Sequence, residues 1–316
     1  MKVLLLATKD TMAYRRRPTG IASGAELLAA VPERRRGAHV DVEDVAAEPS
    51  WDTTPATMIG LARRARAALR EEGYAGVVVT HGLDTLEETA YLCDLYCPGP
   101  VVLTGAVRPL DALSSDGPRN LSAALTAAAD PALTGAGTVV CLNDELHAAR
   151  WATLADAAGV AAFSSAPHPP LGRVAGPAVE LLAPAPPRPP APRGEPEAEV
   201  ALIKTYPGMD GTLLTAVTDA GARGVVLEGT GMFNVPASLL AAISDLVEWD
   251  IPVVVASRAR ARPVALDALP MGVGLAGTVG AIGAGTLSAA KARIALMVAL
   301  GGGGGAEAAR EYFARL

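Results

Sequence analysis

Two short stretches gather side chains able to do chemistry: Lys9, Asp10 and Thr11 directly after the apolar run Val3 to Ala7, and His81 and Asp84 directly after Val77 to Thr80. A threonine hydroxyl attacks a carbonyl carbon only when a neighbouring base takes its proton and donors face the developing oxyanion, because its own pKa is far too high for spontaneous ionisation. Each of these residues also has a plain structural use. Thr11 suits a turn, Lys9 a solvated loop, and His81 a packed, hydrogen-bonded strand end. Asp84 opens a helix and is a good cap, its carboxylate accepting from exposed amides.

The elements that must position these residues alternate along the chain. Val3–Ala7, His39–Val45, Val77–Thr80, Val101–Thr104 and Thr138–Leu142 read as strands, and Ala25–Val31, Thr54–Glu72, a segment beginning near Asp84 and Asn120–Ala129 read as helices. Alternation of this kind predicts βαβ units with right-handed crossovers and a parallel, Rossmann-like sheet. Such sheets bind ligands at the carboxyl ends of their strands, so the informative loops follow Ala7, Val45, Thr80, Thr104 and Leu142. From Pro184 to Pro196 the chain is too rich in proline for helix or central strand and reads as an extended, semi-rigid linker. Beyond it a smaller alternating set follows, with strands at Val200–Lys204, Gly224–Glu228 and Val253–Ser257 and helices at Gly211–Ala220, Ala237–Val247 and Leu287–Leu300. The Gly301–Gly305 run stops the last long helix and is no phosphate loop, since no strand precedes it. The expected organisation is α/β throughout: a larger N-terminal domain over 1–183, the linker over 184–198 and a smaller C-terminal α/β domain over 199–316.

Composition bounds the partners. The 316 residues suit two cores, and with 50% hydrophobic but only 4% aromatic residues those cores are built of small and branched aliphatic side chains. A net charge of -6 with interspersed signs lacks the positive footprint of a nucleic-acid binder and points to a small-molecule ligand. The opening apolar run meets Thr8, Lys9 and Asp10 at once and is too short for a secretory leader, and no stretch approaches a membrane span. Cys93, Cys97 and Cys141 are odd in number and lack a histidine at ligand spacing, so they read as core thiols of a reducing cytoplasm, with no metal.

The motifs resemble those of the bacterial-type L-asparaginases. His81-Gly82-Leu83-Asp84-Thr85-Leu86-Glu87-Glu88-Thr89-Ala90 is similar to His-Gly-Thr-Asp-Thr-Met-Glu-Glu-Thr-Ala, and Ala7-Thr8-Lys9-Asp10-Thr11-Met12-Ala13 to Ala-Thr-Gly-Gly-Thr-Ile-Ala. Thr104 to Pro109, Asp116-Gly117-Pro118 with Asn120, Asn143 to Arg150, Pro207 to Asp210, Gly229-Thr230-Gly231 with Asn234-Val235-Pro236, and Lys291-Ala292-Arg293 extend the resemblance over nearly the whole chain.

The resemblance implies a homotetramer built as a dimer of dimers that hydrolyses a side-chain amide without metal or cofactor. It makes Thr11 the nucleophile, has Ser50 and Asp84 hold the substrate, and places Asn234 where the second domain completes a neighbour's site. It also marks departures. The second catalytic threonine falls on Leu83, the lysine on Leu154, the substrate-holding glutamine on Trp51, and the glycine pair beside the nucleophile on Lys9 and Asp10. Neither leucine transfers a proton, and losing such a partner costs about 100-fold to 10,000-fold in rate. Trp51, Leu83 and Leu154 add apolar area that favours a ligand less polar than asparagine. Proton transfer then falls to Asp10, Asp84 or Lys9, the last as a replacement positive charge. The expectation is an asparaginase-like enzyme of altered specificity acting on a small amide through Thr11. The alternatives are an inactive protein binding a metabolite or partner, and an ordinary L-asparaginase.

Overall fold

In the computed structural model, which describes residues 1–33, 38–259, 266 and 274–316, the chain divides into two compact units, Met1–Arg188 and Pro189–Leu316. The first unit runs β1 Lys2–Ala7, β2 Tyr14–Arg16, β3 Thr19–Ile21, α1 Gly24–Ala29, β4 His39–Asp44, α2 Pro55–Arg70, β5 Gly76–Thr80, α3 Leu86–Tyr96, β6 Val101–Thr104 and α4 Gly117–Ala129. It continues with β7 Thr138–Leu142, β8 Glu145–Ala148, β9 Thr153–Leu154, β10 Phe163–Ser164, β11 Gly172–Ala175 and β12 Ala178–Leu181.

Its sheet has the order β12-β11-β8-β7-β6-β5-β1-β4. The five strands expected from the apolar runs, β4, β1, β5, β6 and β7, are parallel neighbours. The other three correct the expectation of a wholly parallel sheet: β8, β11 and β12 add antiparallel at one edge. The cause is a two-residue reversal. Asn143 and Asp144 both take positive φ, 50° and 63°, which short polar side chains tolerate, and the chain turns back on β7 instead of crossing over a helix.

Alternate residues of each parallel strand feed opposite faces. Val3, Leu5, Val78, Val102 and Val139 join Leu27 and Leu28 of α1 and Leu121, Ala124, Leu125 and Ala128 of α4 in one core. Small side chains let α4 come close: a Cβ on Gly76 of β5 would overlap the carbonyl of Ala128. The helix starts follow local capping. Ser23 and Glu26 form a reciprocal capping box on α1, and Thr54 accepts from the Thr57 amide at the head of α2. Cys93, Cys97 and Cys141 are buried free thiols.

The second unit runs β13 Val200–Lys204, α5 Thr212–Asp219, β14 Gly224–Gly229, α6 Leu240–Glu248, β15 Val253–Ser257, α7 Leu275–Thr278, β16 Ile282–Gly283, α8 Ala289–Leu300 and α9 Gly305–Phe313. Among the described residues its four strands are parallel in sequence order, and β16, α7 and α9 are additions to the elements expected from the sequence. The proline-rich stretch forms neither helix nor strand. Its Arg188 is pinned into the first unit, pairing with the Asp94 carboxylate and donating to the carbonyls of Asp94 and Cys97 at 2.9 and 2.8 Å. Among the described helices none is long and apolar enough to cross a membrane.

Candidate active site

In the parallel part of the sheet, strand order reverses at β1, which lies between β4 and β5. A crevice opens at the carboxyl ends of strands that diverge in this way. Thr8 staples its floor: its amide donates to Thr80 Oγ1 at 2.9 Å and its hydroxyl to the Thr80 carbonyl at 2.6 Å, joining the ends of β1 and β5.

Just beyond, Asp10 caps the short 3-10 turn Thr11–Ala13. Its buried carboxylate accepts through Oδ1 from the Thr11 amide at 2.6 Å and from Thr11 Oγ1 at 3.2 Å, and through Oδ2 from the Ser50 amide at 2.7 Å. Ser50 opens a second turn after β4, and its hydroxyl donates to Asp84 Oδ2 at 2.7 Å. Thr85 closes the ring by donating to the Ser50 carbonyl at 2.7 Å. Gly82 is glycine of necessity here, because a Cβ would overlap both Asp10 Oδ2 and Ser50 Oγ. Three loops thus converge on Thr11, Asp10, Ser50 and Asp84.

Asp84 is not the helix cap that its position suggested. The cap of α3 is Thr85, with no side-chain cap bond, and the exposed Asp84 carboxylate receives Ser50 instead. His81 is a packed strand-end residue. Its Nδ1 bonds the Gly82 carbonyl at 2.7 Å, and its Nε2 meets Thr89 Oγ1 at 3.0 Å. Burial lowers its pKa against the upward pull of the Gly82 bond and of the Asp10 and Asp84 charges, so the ring is neutral at pH 7 and both nitrogens are engaged away from Thr11. Burial first, and then the Asp10 charge, raise the pKa of Tyr14.

The remaining expected residues are less tightly bound into the network. Leu83 is half-buried, its Cδ2 packed only 2.6 Å from where a Cβ on Gly105 would lie. Leu154, half-buried in β9, pairs with Phe163, and its neighbour Thr153 donates to Glu87 Oε2 of α3 at 2.6 Å. Lys9 is exposed and Trp51 is 65% exposed, so neither is fixed against Thr11. Asn234 belongs to the second unit, where its Oδ1 accepts from the Gly274 amide at 2.7 Å and its carbonyl accepts from Thr230. The sequence reading missed Thr85 and the Thr8–Thr80 clip, although all three sit within or beside the quoted motifs.

The loops after β6 and β7 are ordered by the residues of the other quoted motifs. Asp116 accepts from the amides of Val107 and Arg108, both at 3.0 Å, while Asn120 donates to the Gly105 carbonyl at 2.9 Å and accepts from the Asn143 amide at 3.0 Å.

With this geometry in place, the two family models that match the chain are informative. The model described as "Asparaginase, N-terminal" matches residues 2–187, and that described as "Glutaminase/Asparaginase C-terminal domain" matches residues 199–313. The chain belongs to the asparaginase family. Among its relatives, a probable L-asparaginase of Deinococcus radiodurans is 36% identical over 99% of this chain and 97% of that protein. L-asparaginase 2-3 of Saccharomyces cerevisiae is 34% identical over 91% of this chain and 81% of its own. A crystal structure of a probable cytoplasmic L-asparaginase from Campylobacter jejuni superposes with a TM-score of 0.87 at 29% identity, covering 100% of this chain and 99% of that one. Asparaginase-family membership makes a hydrolase the coarse functional class, and the mixed α/β sheet with its smaller parallel partner domain is the fold of that family.

Proposed function

We propose that this asparaginase-family chain hydrolyses a small amide through Thr11, with Asp10 taking the proton. The observation that carries the reading is the bond from Thr11 Oγ1 to Asp10 Oδ1. Thr11 Oγ1 attacks the amide carbon as its proton passes to Asp10. The C–N bond then breaks, Asp10 returns the proton to the departing nitrogen, and ammonia leaves. Water, deprotonated by the same carboxylate, releases the acid and restores Thr11. Ser50 and Asp84, already joined, hold the polar end of the substrate. Leu83 and Leu154, which stand where the family resemblance implies a threonine and a lysine, do no proton transfer and favour a ligand less polar than asparagine.

A second reading, an ordinary L-asparaginase, is favoured by the relatives that bear that name and match the chain nearly end to end. Ammonia release from L-asparagine, L-glutamine and simple amides such as propionamide, measured for the wild type and Thr11→Ala, separates the two. The expected result is turnover of a simple amide, lost in the variant, with little from either amino acid. Asparagine turnover within about tenfold of a standard asparaginase, equivalent to about 1.4 kcal/mol of barrier, would establish the ordinary reading. No turnover of any of them would leave an inactive metabolite-binding protein.

The same reading includes a homo-oligomer, a dimer or a dimer of dimers, with Asn234 on the face that completes a neighbour's site; light scattering at micromolar concentration tests it, and a monomer refutes it. It also includes a cytoplasmic location, supported by the three buried free thiols and by the likeness to the Campylobacter protein named as cytoplasmic.

A further inference from the structure

Asp10 has a second consequence for the site, one that concerns what can bind rather than what reacts. A ligand carboxylate needs N–H and O–H donors. Lys9 and Trp51, on the loops after β1 and β4, are exposed and not fixed against Thr11, while the same loops present the Thr11 amide and hydroxyl and the Ser50 amide and hydroxyl. The chain's own carboxylates accept from every one of them: Asp10 from the Thr11 amide, the Thr11 hydroxyl and the Ser50 amide, and Asp84 from the Ser50 hydroxyl. Asp10 cannot easily step aside in this arrangement. It is 5% exposed, caps the turn that carries Thr11, and lies directly over Gly82. An incoming anion would have to displace it and sit beside two negative charges linked through one serine. A cation meets the opposite situation, since the Asp84 carboxylate is exposed and has acceptor capacity left after the single bond from Ser50.

We infer that Asp10 acts as an internal anion that fills the carboxylate-binding donors beside Thr11, so that this enzyme takes small amides bearing an ammonium group and rejects those bearing a carboxylate. The inference rests on the reading of Thr11 and Ser50–Asp84 as the substrate site, and it makes Asp10 a specificity-determining residue. Selection here works by rejection: the wrong ligand finds its hydrogen-bond donors occupied and like charge in its path.

Asparagine can be dissected to test this. 3-Aminopropanamide keeps its amide and ammonium without the carboxylate, and succinamate keeps its amide and carboxylate without the amine. Isothermal titration calorimetry on the full-length protein at pH 7 would compare both, with L-asparagine, for the wild type, Asp10→Gly and Asp10→Asn. The wild type should bind 3-aminopropanamide at least about tenfold more tightly than succinamate or L-asparagine, and Asp10→Gly should gain binding of the two carboxylate ligands. Wild-type binding of succinamate or L-asparagine as tight as that of 3-aminopropanamide overturns the proposal, as does failure of all three to bind. Should Asp10→Gly not fold, the wild-type ranking and Asp10→Asn still decide it. Binding of 3-aminopropanamide without ammonia release would uphold the selectivity and refute the hydrolytic reading, so the two fail separately.

Discussion

Ser50 Oγ donates to Asp84 Oδ2 at 2.7 Å, so the loops after β4 and β5, which are also tied by the Thr85 hydroxyl on the Ser50 carbonyl, meet side chain to side chain at the mouth of the crevice. The Ser50 amide, bonded to Asp10, is independent of that hydroxyl. Ser50→Ala should therefore leave Asp10 and Thr11 in place while freeing Asp84 to swing. The expected signature is a KM raised at least about tenfold with kcat changed far less, since a hydrogen bond to a charged carboxylate contributes about 1.5 to 3 kcal/mol. Steady-state kinetics on the preferred amide would show it; an equal fall in kcat would place Ser50 in the chemical step instead.

Arg188 bridges the end of the first unit to Asp94 of α3, a carboxylate also bonded by the Thr138 amide at 2.9 Å. Removing one partner of a fully buried pair costs about 3 to 5 kcal/mol, and because Arg188 is 34% exposed and screened by solvent the cost here is smaller, about 1 to 3 kcal/mol. Arg188→Met should lose stability on that scale in urea titrations at pH 7. The pH dependence has a definite sign. Burial raises the Asp94 pKa even with Arg188 beside it, and without Arg188 the pKa rises further, so the folded state holds the proton that the unfolded chain gives up. Stability of the variant should then fall as pH rises and recover in part toward pH 5. A variant equally unstable at both pH values would show that lost packing of Arg188, and not charge, sets the cost.

His147 behaves in the opposite sense. Burial lowers its pKa from 6.5 to about 4, and although Glu145 Oε2 lies 3.5 Å from Nε2, that nitrogen has no hydrogen-bond partner among the described residues; Nδ1 meets Ser165 Oγ at 2.9 Å. The unfolded chain takes up the proton first, so the stability present above the ordinary histidine range is lost as pH falls from 6.5 toward 4. At full titration the difference corresponds to about 3 kcal/mol. His81, also lowered by burial, adds to the same slope. His147→Gln should thus flatten, without abolishing, the loss of stability between pH 7 and pH 5 in chemical denaturation, and an unchanged slope would assign the whole effect elsewhere.

The sequence was most legible where period and motif agreed. Apart from Lys2, Thr80, Thr104 and Thr138 at their ends, β1, β5, β6 and β7 are continuous apolar runs because both faces of a parallel strand are covered, and that pattern leaves little room for another reading. The antiparallel edge was hidden because Glu145–Ala148 is only four residues long and its decisive signal is the left-handed Asn143–Asp144 pair, which reads as loop. At the site, the motifs located Thr11, Ser50 and Asp84, but spacing alone carries no information on which neighbour touches Thr11. Lys9 and Asp10 stand side by side in the chain; only the strand-end geometry turns Asp10 inward to bond Thr11 and leaves Lys9 exposed.

That difference between Lys9 and Asp10 shapes the most demanding test, rebuilding the family's residues. Leu83→Thr with Leu154→Lys restores the two proton-handling groups that the resemblance implies, yet Asp10 still occupies the Ser50 amide and the Thr11 donors. A bound amide misplaced by about 1 Å can lose a hundredfold in rate, so the double variant should remain a poor asparaginase. Adding Asp10→Gly should give the large gain, because it frees those donors and returns bare backbone beside Thr11. Lys9→Gly should add little, its side chain being exposed, and Trp51→Gln, at a residue 65% exposed, should change KM more than kcat. The lysine at position 154 enters a half-buried strand and needs a partner there; Glu87, which accepts from the neighbouring Thr153, lies within that local network. Ammonia release from L-asparagine, measured across the series with circular dichroism to confirm folding, separates the contributions. If the double variant alone reaches the rate of a standard asparaginase, Asp10 does not block the site and the two leucines account for the whole divergence.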